Sequence, residues 1–192
     1  MRRGRTATDR VSPAPDGGSS SGVELLCTDR LRLRAWTAED ADLARLADLY
    51  SRDEVTRWLG GGPSIGAGEL VERWRLVHEL DPVHGCWAVE RGEGGPPVGT
   101  VLLKPLPHGV GEVEVGWHLH PDSWGHGYAT EAARAVVDRA FDEGLLEVFA
   151  VVRPGNEASL GVCRKLGMQP LGRTTRWYDT ELEAFRLDSP VA

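Results

Sequence analysis

Three successive stretches in the middle of the chain are rich in apolar residues. The stretches read GCWAVER from Gly85, PVGTVLLKPL from Pro97 and GEVEVGWHLH from Gly111, with turn-forming residues between them. They predict three strands in an antiparallel meander, and in the last one Val113, Val115, Trp117 and Leu119 alternate with the period of a half-buried strand. Residues 31–36 alternate in the same way and predict a strand before the meander.

Apolar residues recur at helical spacing between the first strand and the meander. We interpret Thr37 as the N-cap of a first helix. The predicted buried face of this helix consists of Leu43, Leu46, Ala47 and Tyr50. Residues 53–64 predict a short helix that ends in a glycine loop, and residues 69–80 predict another helix. The buried stripe of that helix is predicted to consist of Leu70, Trp74 and Val77.

After the meander, helices and strands alternate. An alanine-rich helix is predicted to end at Gly144, and its apolar face consists of Ala129, Ala132, Ala133, Val136, Val137, Ala140 and Phe141. Residues 147–153 are apolar on both faces, as in a central parallel strand. Residues 156–167 predict a helix that begins at the N-cap Asn156 and ends at Gly167.

The order of these elements determines the predicted fold class. Residues 173–188 predict a closing hairpin. The strand–helix–strand unit over residues 111–153 requires a right-handed crossover between two parallel strands. We therefore predict an α/β fold with a mixed sheet of about seven strands and helices on both faces.

Composition divides the chain into a tail and one domain. Residues 1–26 include RVSPAPDGGSSSG and offer little to bury, so we expect a disordered tail there and one folded domain over residues 27–192. MRRGR is not followed by an apolar segment, and no later segment is long enough to span a membrane. We expect a cytoplasmic protein.

Charge and cysteine content exclude several classes of partner. The formal net charge of −7 disfavours nucleic acids and anionic membranes and favours a cationic acceptor such as an amine. The widely spaced Cys27, Cys86 and Cys163 predict reduced thiols, without a disulfide framework or a zinc ribbon. His118 and His120 would point the same way in a strand, but no partner has a matching spacing, so we expect no metal site.

The segment HPDSWGHGYATEA, residues 120–132, joins the last meander strand to the alanine-rich helix. Gly125 and Gly127 allow a sharp turn and a close approach of the backbone to a ligand. The free N–H groups at the start of the helix can surround an anion such as pyrophosphate. The same glycines also fit a plain tight turn with a helix cap. A Walker loop and a dinucleotide fingerprint are excluded, because the required lysine and third glycine are missing.

WGHGYATEA followed by RPGNEASLGVCRKLGM resembles the GNAT superfamily of acyl-CoA-dependent N-acetyltransferases. The resemblance is greatest to the RimJ/RimL-like branch, named for ribosomal-protein N-terminal acetyltransferases, whose opening is similar to TDRLRLRAWTAEDA. It covers about residues 28–188 and implies a GNAT-type fold, acetyl-CoA as co-substrate and an amine acceptor. We expect a monomer or a homodimer.

The resemblance also implies which residues bind the cofactor. The backbone of Leu119 and His120 is expected to pair with the pantetheine arm, and Asn156 to reach the cofactor from the next helix. The pyrophosphate is expected on the backbone of Trp124, Gly125, His126, Gly127, Tyr128 and Ala129. Asp122 stands where the family usually has Arg or Gln. Its negative charge would repel pyrophosphate unless the side chain turns away.

Acetyl transfer to an amine needs a base and a proton donor for the leaving thiolate. Glu112, Glu114, Gly116 and His118 share one face of the last meander strand, and Gly116 leaves room for an acetyl group. Glu114 is the first candidate for the base, acting directly or through a water, and Glu112 and His118 are the next candidates. The alternative is that this is simply the solvated face of the strand.

The proton donor and the acceptor site are less directly marked. The family often has Tyr at the position of Cys163, whereas the related branch has Ser three residues after the Asn, where Ser159 stands. We therefore expect Ser159 to assist the thiolate, with helix capping as its alternative role. Trp58 and Trp177 are predicted to line the acceptor site.

We predict an acetyl-CoA-dependent N-acetyltransferase that acts on a primary amine such as a protein N-terminus. One alternative is a small-molecule acceptor, namely an aminoglycoside, a polyamine or an amino acid. The other is a non-catalytic module that binds acyl-CoA.

Overall fold

An eight-stranded mixed sheet runs through the part of the chain that the computed structural model describes, residues 26–92 and 95–190. The strands are β1 Leu26–Cys27, β2 Leu31–Ala35, β3 Gly85–Arg91, β4 Gly99–Pro105, β5 Val113–Leu119, β6 Glu147–Val152, β7 Gln169–Thr174 and β8 Leu182–Asp188. The helices are α1 Asp40–Ser51, α2 Asp53–Thr56, α3 Ala67–Leu80, α4 Tyr128–Asp142 and α5 Glu157–Leu166, and a 3-10 turn spans Pro121–Ser123. None of these helices is long and apolar enough to cross a membrane.

The sheet is antiparallel except for one parallel pair of strands at its centre. Its strand order is β1-β2-β3-β4-β5-β6-β8-β7, and the first five strands pair antiparallel. β5 and β6, which α4 connects, pair parallel with Glu114 opposite Phe149. The predicted meander and the predicted parallel crossover are both confirmed.

Helices cover both faces of the sheet, as predicted. On one face α4 and α5 pack on the main core, which includes Trp87 and Val89 of β3. On the other face α1, α2 and α3 enclose a smaller core that includes Ala88 of the same strand. Consecutive apolar residues of β3 thus contribute to two cores at once, because their side chains point to opposite faces.

The sheet has eight strands instead of about seven because β1 adds a short strand at its edge. Leu26 lies opposite Leu33 of β2. The tail predicted over residues 1–26 lies outside the described residues, except for Leu26. A strand of this length has too few residues for the alternation of its side chains to reveal it.

Three details of the helices differ from the predictions. On α1 Leu49 is buried, whereas Ala47 of the predicted buried face is exposed. The N-cap of α1 is Glu39 instead of Thr37, whose hydroxyl and backbone N–H both donate to the carboxylate of Asp42. In α3 the buried residues are Val71 and His78, whereas the predicted stripe is only half-buried. His78 is buried because its ring meets Trp87 edge-on and its Nε2 accepts a hydrogen bond from a backbone N–H of β3.

Candidate functional site

A cavity of about 660 Å³ opens between the carboxyl-terminal halves of β5 and β6. The two strands pair at Glu114 and Phe149, whereas Trp117 and Leu119, farther along β5, line the cavity. Strands that separate after a short ladder leave a slot between them, and this volume lies within the range of small-molecule sites. The slot is bordered by the amino-terminal ends of α4 and α5.

The glycine turn forms one wall of this cavity. Gly125 and Gly127 have φ values of +83° and +80°, a left-handed conformation that strains other residues. A Cβ added at Gly125 would meet no atom within 4 Å, so the backbone borders open space there. Gly127 is the N-cap of α4, and Tyr128, Ala129 and Thr130 line the cavity behind it. The first N–H groups of a helix have no partner within it and favour an anion.

His126 is the one residue of the predicted loop that does not line the cavity. Its ring stacks on Tyr128 with 5.3 Å between centroids, and its backbone carbonyl accepts a hydrogen bond from Arg30 at 3.0 Å. The Arg30 guanidinium also pairs with Glu131 at 2.5 Å. Arg30 therefore lies beside the turn, just before β2, with its charge compensated by Glu131.

The backbone of Leu119 is placed for the predicted pairing with a ligand in the slot. The N–H of His120 donates to the carbonyl of Val98 at 2.9 Å, and neighbouring residues of a strand direct their N–H and C=O groups to opposite sides. Leu119 thus faces the slot, and its carbonyl accepts from the Trp124 indole at 2.8 Å. The structure does not bring the backbone of His120 to the cavity, because its carbonyl also has a partner, the N–H of Ser123.

The carboxylate of Asp122 is neutralised by its neighbours. It accepts hydrogen bonds from Arg45 at 3.0 Å and from the hydroxyl of Ser123 at 2.6 Å, and it lies 3.0 Å from the His120 ring. These contacts, with that of Arg45 the largest, hold the pKa of Asp122 well below its usual range. The other ring nitrogen of His120 contacts Asp48 at 3.0 Å. The negative charge of Asp122, which stands where the family usually has Arg or Gln, is thus compensated by these contacts.

Asn156 and Ser159 begin α5 at the opposite wall. Asn156 caps the helix, because its side-chain oxygen accepts from the backbone N–H of Ser159 at 3.2 Å. The hydroxyl of Ser159 accepts instead from the indole of Trp117 at 3.3 Å, which leaves its own proton to donate. Capping by the Ser159 hydroxyl is therefore not what the structure shows.

Glu114 lies buried on the far side of the cavity, with only 8 % of its surface exposed. The hydroxyl of Tyr178 donates to its Oε2 at 2.6 Å, and Lys104 Nζ lies 3.6 Å from the same oxygen. Burial raises the pKa of Glu114 above its usual value, while the charge of Lys104 and the hydrogen bond of Tyr178 act against this rise. A carboxylate with a raised pKa is a stronger base. The alternative of a solvated strand face does not describe Glu114.

The other two candidates for the base are placed differently. Glu112 does not line the cavity; it accepts from Arg176 and from the N–H of Val110. Backbone hydrogen bonds, including that of Val110, and the charge of Arg176 lower the pKa of Glu112. His118 does line the cavity, and its Nδ1 lies 2.9 Å from the hydroxyl of Tyr50. Burial, followed by the charge of Lys104, lowers the pKa of His118 to about 4, so its ring is neutral at neutral pH.

Of the two tryptophans predicted for the acceptor site, only Trp58 lines the cavity. Trp177 is instead buried against Phe149 in a third small core. Its neighbour Tyr178 faces the cavity.

Cys163 is fully buried in the main core, and burial raises the pKa of its thiol to about 12, which makes it a poor proton donor.

The sequence analysis missed Tyr178, Lys104, Arg30 and Arg45. Lys104 had a signal, because the predicted meander places it on the strand that precedes Glu114, and the two lie directly opposite in the observed register. The other three reach the site across long sequence separations and carry no local pattern. Within the described part of the chain, no group of three or more His, Cys, Asp or Glu residues is placed to hold a metal ion.

Comparison with known proteins gives consistent results. A family model described as an acetyltransferase (GNAT) domain matches residues 30–169. The uncharacterized N-acetyltransferase YoaA of Bacillus subtilis (strain 168) is 33% identical over 153 residues, which cover 77% of this chain and 84% of that protein.

Solved structures are also similar. An acetyltransferase from Agrobacterium tumefaciens str. C58 is 27% identical with a TM-score of 0.70, over 96% of this chain and 99% of that one. RimL, a ribosomal L7/L12 alpha-N-protein acetyltransferase solved in complex with coenzyme A, has a TM-score of 0.72. It is 13% identical, over 88% of this chain and 100% of that one, and so shares the fold.

Proposed function

Because the chain belongs to the GNAT family of acetyltransferases and is an N-acetyltransferase, we propose that it transfers the acetyl group of acetyl-CoA to a primary amine. The acceptor is the N-terminus of a protein or a small molecule. One observation carries the proposal: the glycine turn and the buried carboxylate of Glu114 line the same cavity.

The cofactor side of the cavity fits acetyl-CoA. The backbone around Gly125 and Gly127 leaves room for a pyrophosphate, and the N–H groups at the start of α4 favour its charge. Leu119 offers backbone groups to the pantetheine arm, and its carbonyl exchanges the Trp124 indole for a pantetheine amide. Bound acetyl-CoA supplies an activated acetyl thioester.

On the acceptor side, Glu114 takes the proton that an ammonium group must lose before it can attack. Lys104 and Tyr178 act against the effect of burial on this carboxylate, because both stabilise its ionised form. Gly116 lies between Glu114 and His118 on the same strand face, but a Cβ added there would lie 3.1 Å from the side chain of Leu102, so the glycine does not open the space predicted for the acetyl group. The neutral ring of His118 also lines the cavity.

On the leaving-group side, Ser159 donates its hydroxyl proton towards the thiolate. The indole of Trp117 orients this hydroxyl, since it donates to the serine oxygen and fixes where the proton can point. Asn156 holds the first turn of α5 in place and thereby positions the serine.

The test is thiol release from acetyl-CoA with a panel of amines, followed by mass spectrometry of the products. The panel contains peptides with N-terminal Ala and Ser, aminoglycosides, polyamines and amino acids. Thiol release that depends on an amine, with an acetylated amine as product, supports the proposal. Binding of acetyl-CoA without transfer to any amine contradicts it and favours a module that only binds acyl-CoA.

A further inference from the structure

Two arginine side chains on the acceptor side form no ion pair among the described residues. Arg57 follows α2, and its guanidinium lies 5.0 Å from the ring centroid of its neighbour Trp58. Arg153 follows β6. Stacking on an aromatic face leaves the N–H groups at the edge of a guanidinium free to donate hydrogen bonds.

Both arginines point to the acceptor side of the sheet. Arg153 continues the face of β6 that carries Phe149 and Val151, which pack with Tyr178 and away from α4 and α5. A Cβ added at Gly60 would lie 2.7 Å from a guanidinium nitrogen of Arg153, so this side chain reaches the loop after α2.

The two arginines lie where the main cavity meets a smaller one. The smaller cavity, of about 540 Å³, is lined by Asp53, Glu54, Thr56, Arg57, Gly60, Gly61 and Arg153. Glu54, Arg57 and Arg153 line both cavities. The guanidiniums are therefore accessible to an acceptor that extends from Glu114 towards the mouth.

Where the two cavities meet, the guanidinium charges of Arg57 and Arg153 have no ion-pair partner among the described residues. Asp53 and Glu54 share the smaller cavity with the arginines, yet the described residues contain no ion pair between these acids and either arginine. In a chain with a net charge of −7, most exposed arginines of the described part are paired, as Arg73 is with Glu69 on α3. Two unpaired guanidiniums in one concave site are a typical arrangement for binding carboxylate or phosphate.

We infer that Arg57 and Arg153 form a subsite for an anionic group of the acceptor. The acceptor is then an amine that also carries a carboxylate or a phosphate, such as an amino acid or an amino sugar phosphate. This inference rests on the proposed function, in which the amine lies at Glu114. Glu54 repels the anion and limits its affinity.

The experiment compares acceptors that differ only in the anionic group. The pairs are L-amino acids with their carboxamides and glucosamine 6-phosphate with glucosamine, and the readout is the ratio of kcat/KM within each pair. We expect the anionic member of at least one pair to be preferred by about 10- to 100-fold, the range of a hydrogen bond to a charged group. A preference in the amino-acid pair indicates a subsite for carboxylate, and a preference in the glucosamine pair indicates a subsite for phosphate.

Variants of the full chain assign the preference to the subsite. Arg57→Gln and Arg153→Gln should each lower the ratio, Arg153→Lys should retain part of it, and Glu54→Gln should raise it. Arg73→Gln is the matched control, since it removes an exposed arginine on α3 and should leave the ratio unchanged.

Ratios of kcat/KM near one in every pair, or ratios that both arginine variants leave unchanged, overturn the inference, while transfer itself still supports the proposed function.

Calorimetry on the CoA-loaded protein tests the subsite without turnover. It compares the binding of N-acetyl-L-amino acids with that of their carboxamides, and of N-acetylglucosamine 6-phosphate with that of N-acetylglucosamine. Anion preference that Arg153→Gln removes, without transfer to any amine, would sustain the subsite and contradict the proposed function. Equal binding within every pair overturns the subsite.

Discussion

The hydroxyl of Tyr178 donates a hydrogen bond of 2.6 Å to Glu114, a residue 64 positions earlier in the chain. The bond joins the segment between β7 and β8 to the beginning of β5. It stabilises the charged form of a carboxylate whose burial favours the neutral form. The availability of the proposed base therefore depends on a residue from a different part of the sheet.

Tyr178→Phe should move the acidic limb of the pH profile of kcat/KM to higher pH. The change removes a contact that lowers the pKa of Glu114, so the carboxyl stays protonated, and inactive as a base, to a higher pH. Activity should fall most on the acidic side and recover as the pH rises. Tyr50→Phe is the control, because its hydroxyl contacts His118 instead. A shift in the control alone would assign the limb to His118.

Glu114→Gln should lower kcat by roughly 10²- to 10⁴-fold at neutral pH, the usual contribution of general acid–base catalysis. The loss should shrink at high pH, where the amine is already deprotonated. Glu112→Gln is the control and should be milder, because Glu112 lies outside the cavity and pairs with Arg176. If kcat is unchanged by Glu114→Gln at every pH and falls in the Glu112 or His118 variant, the base is a different residue.

Gly127→Val should abolish binding of acetyl-CoA, because a branched side chain would occupy the approach to the turn. The φ of +80° adds backbone strain of about 1–2 kcal/mol. Gly144→Val introduces comparable strain at a φ of +97° beyond the other end of α4, away from the cavity. Calorimetry and thermal unfolding of both variants separate binding from stability. Unchanged affinity in a folded Gly127 variant would show that the turn is not the cofactor site.

Ser159→Ala should lower kcat by roughly 10- to 100-fold and raise the KM for acetyl-CoA much less, because the hydroxyl acts mainly as the thiolate forms. The cap of α5 survives, since Asn156 accepts from the backbone N–H of this residue. Cys163→Ala is the control. It is preferable to Cys163→Ser, which would place a hydroxyl in the core, where the side chain is fully buried, and would lower the stability of the protein. Equal losses in kcat and in cofactor binding would make Ser159 a structural residue.

Local patterns in the sequence were sufficient for most elements of the fold. The four stretches predicted as strands before the glycine turn became β2 to β5, the alanine-rich stripe became α4, and the glycines at both ends of α4 adopt left-handed φ values. These features depend on a residue and its near neighbours, so the sequence shows them directly. The cap at Asn156 and the end of α5 at Gly167 were predicted for the same reason. The face of β5 that carries Glu114 also followed from its period alone.

Only the tertiary structure decided what surrounds that face. The burial of Glu114, its contact with Tyr178, the pairing of Asp122 with Arg45 and the position of Arg30 beside the turn all join distant parts of the chain. Such contacts depend on strand register and on how the helices pack, and a side chain's periodicity carries no information about its partner. The sequence therefore determined which residues share a face, while packing determined which of them are buried, which are paired and which face the cavity.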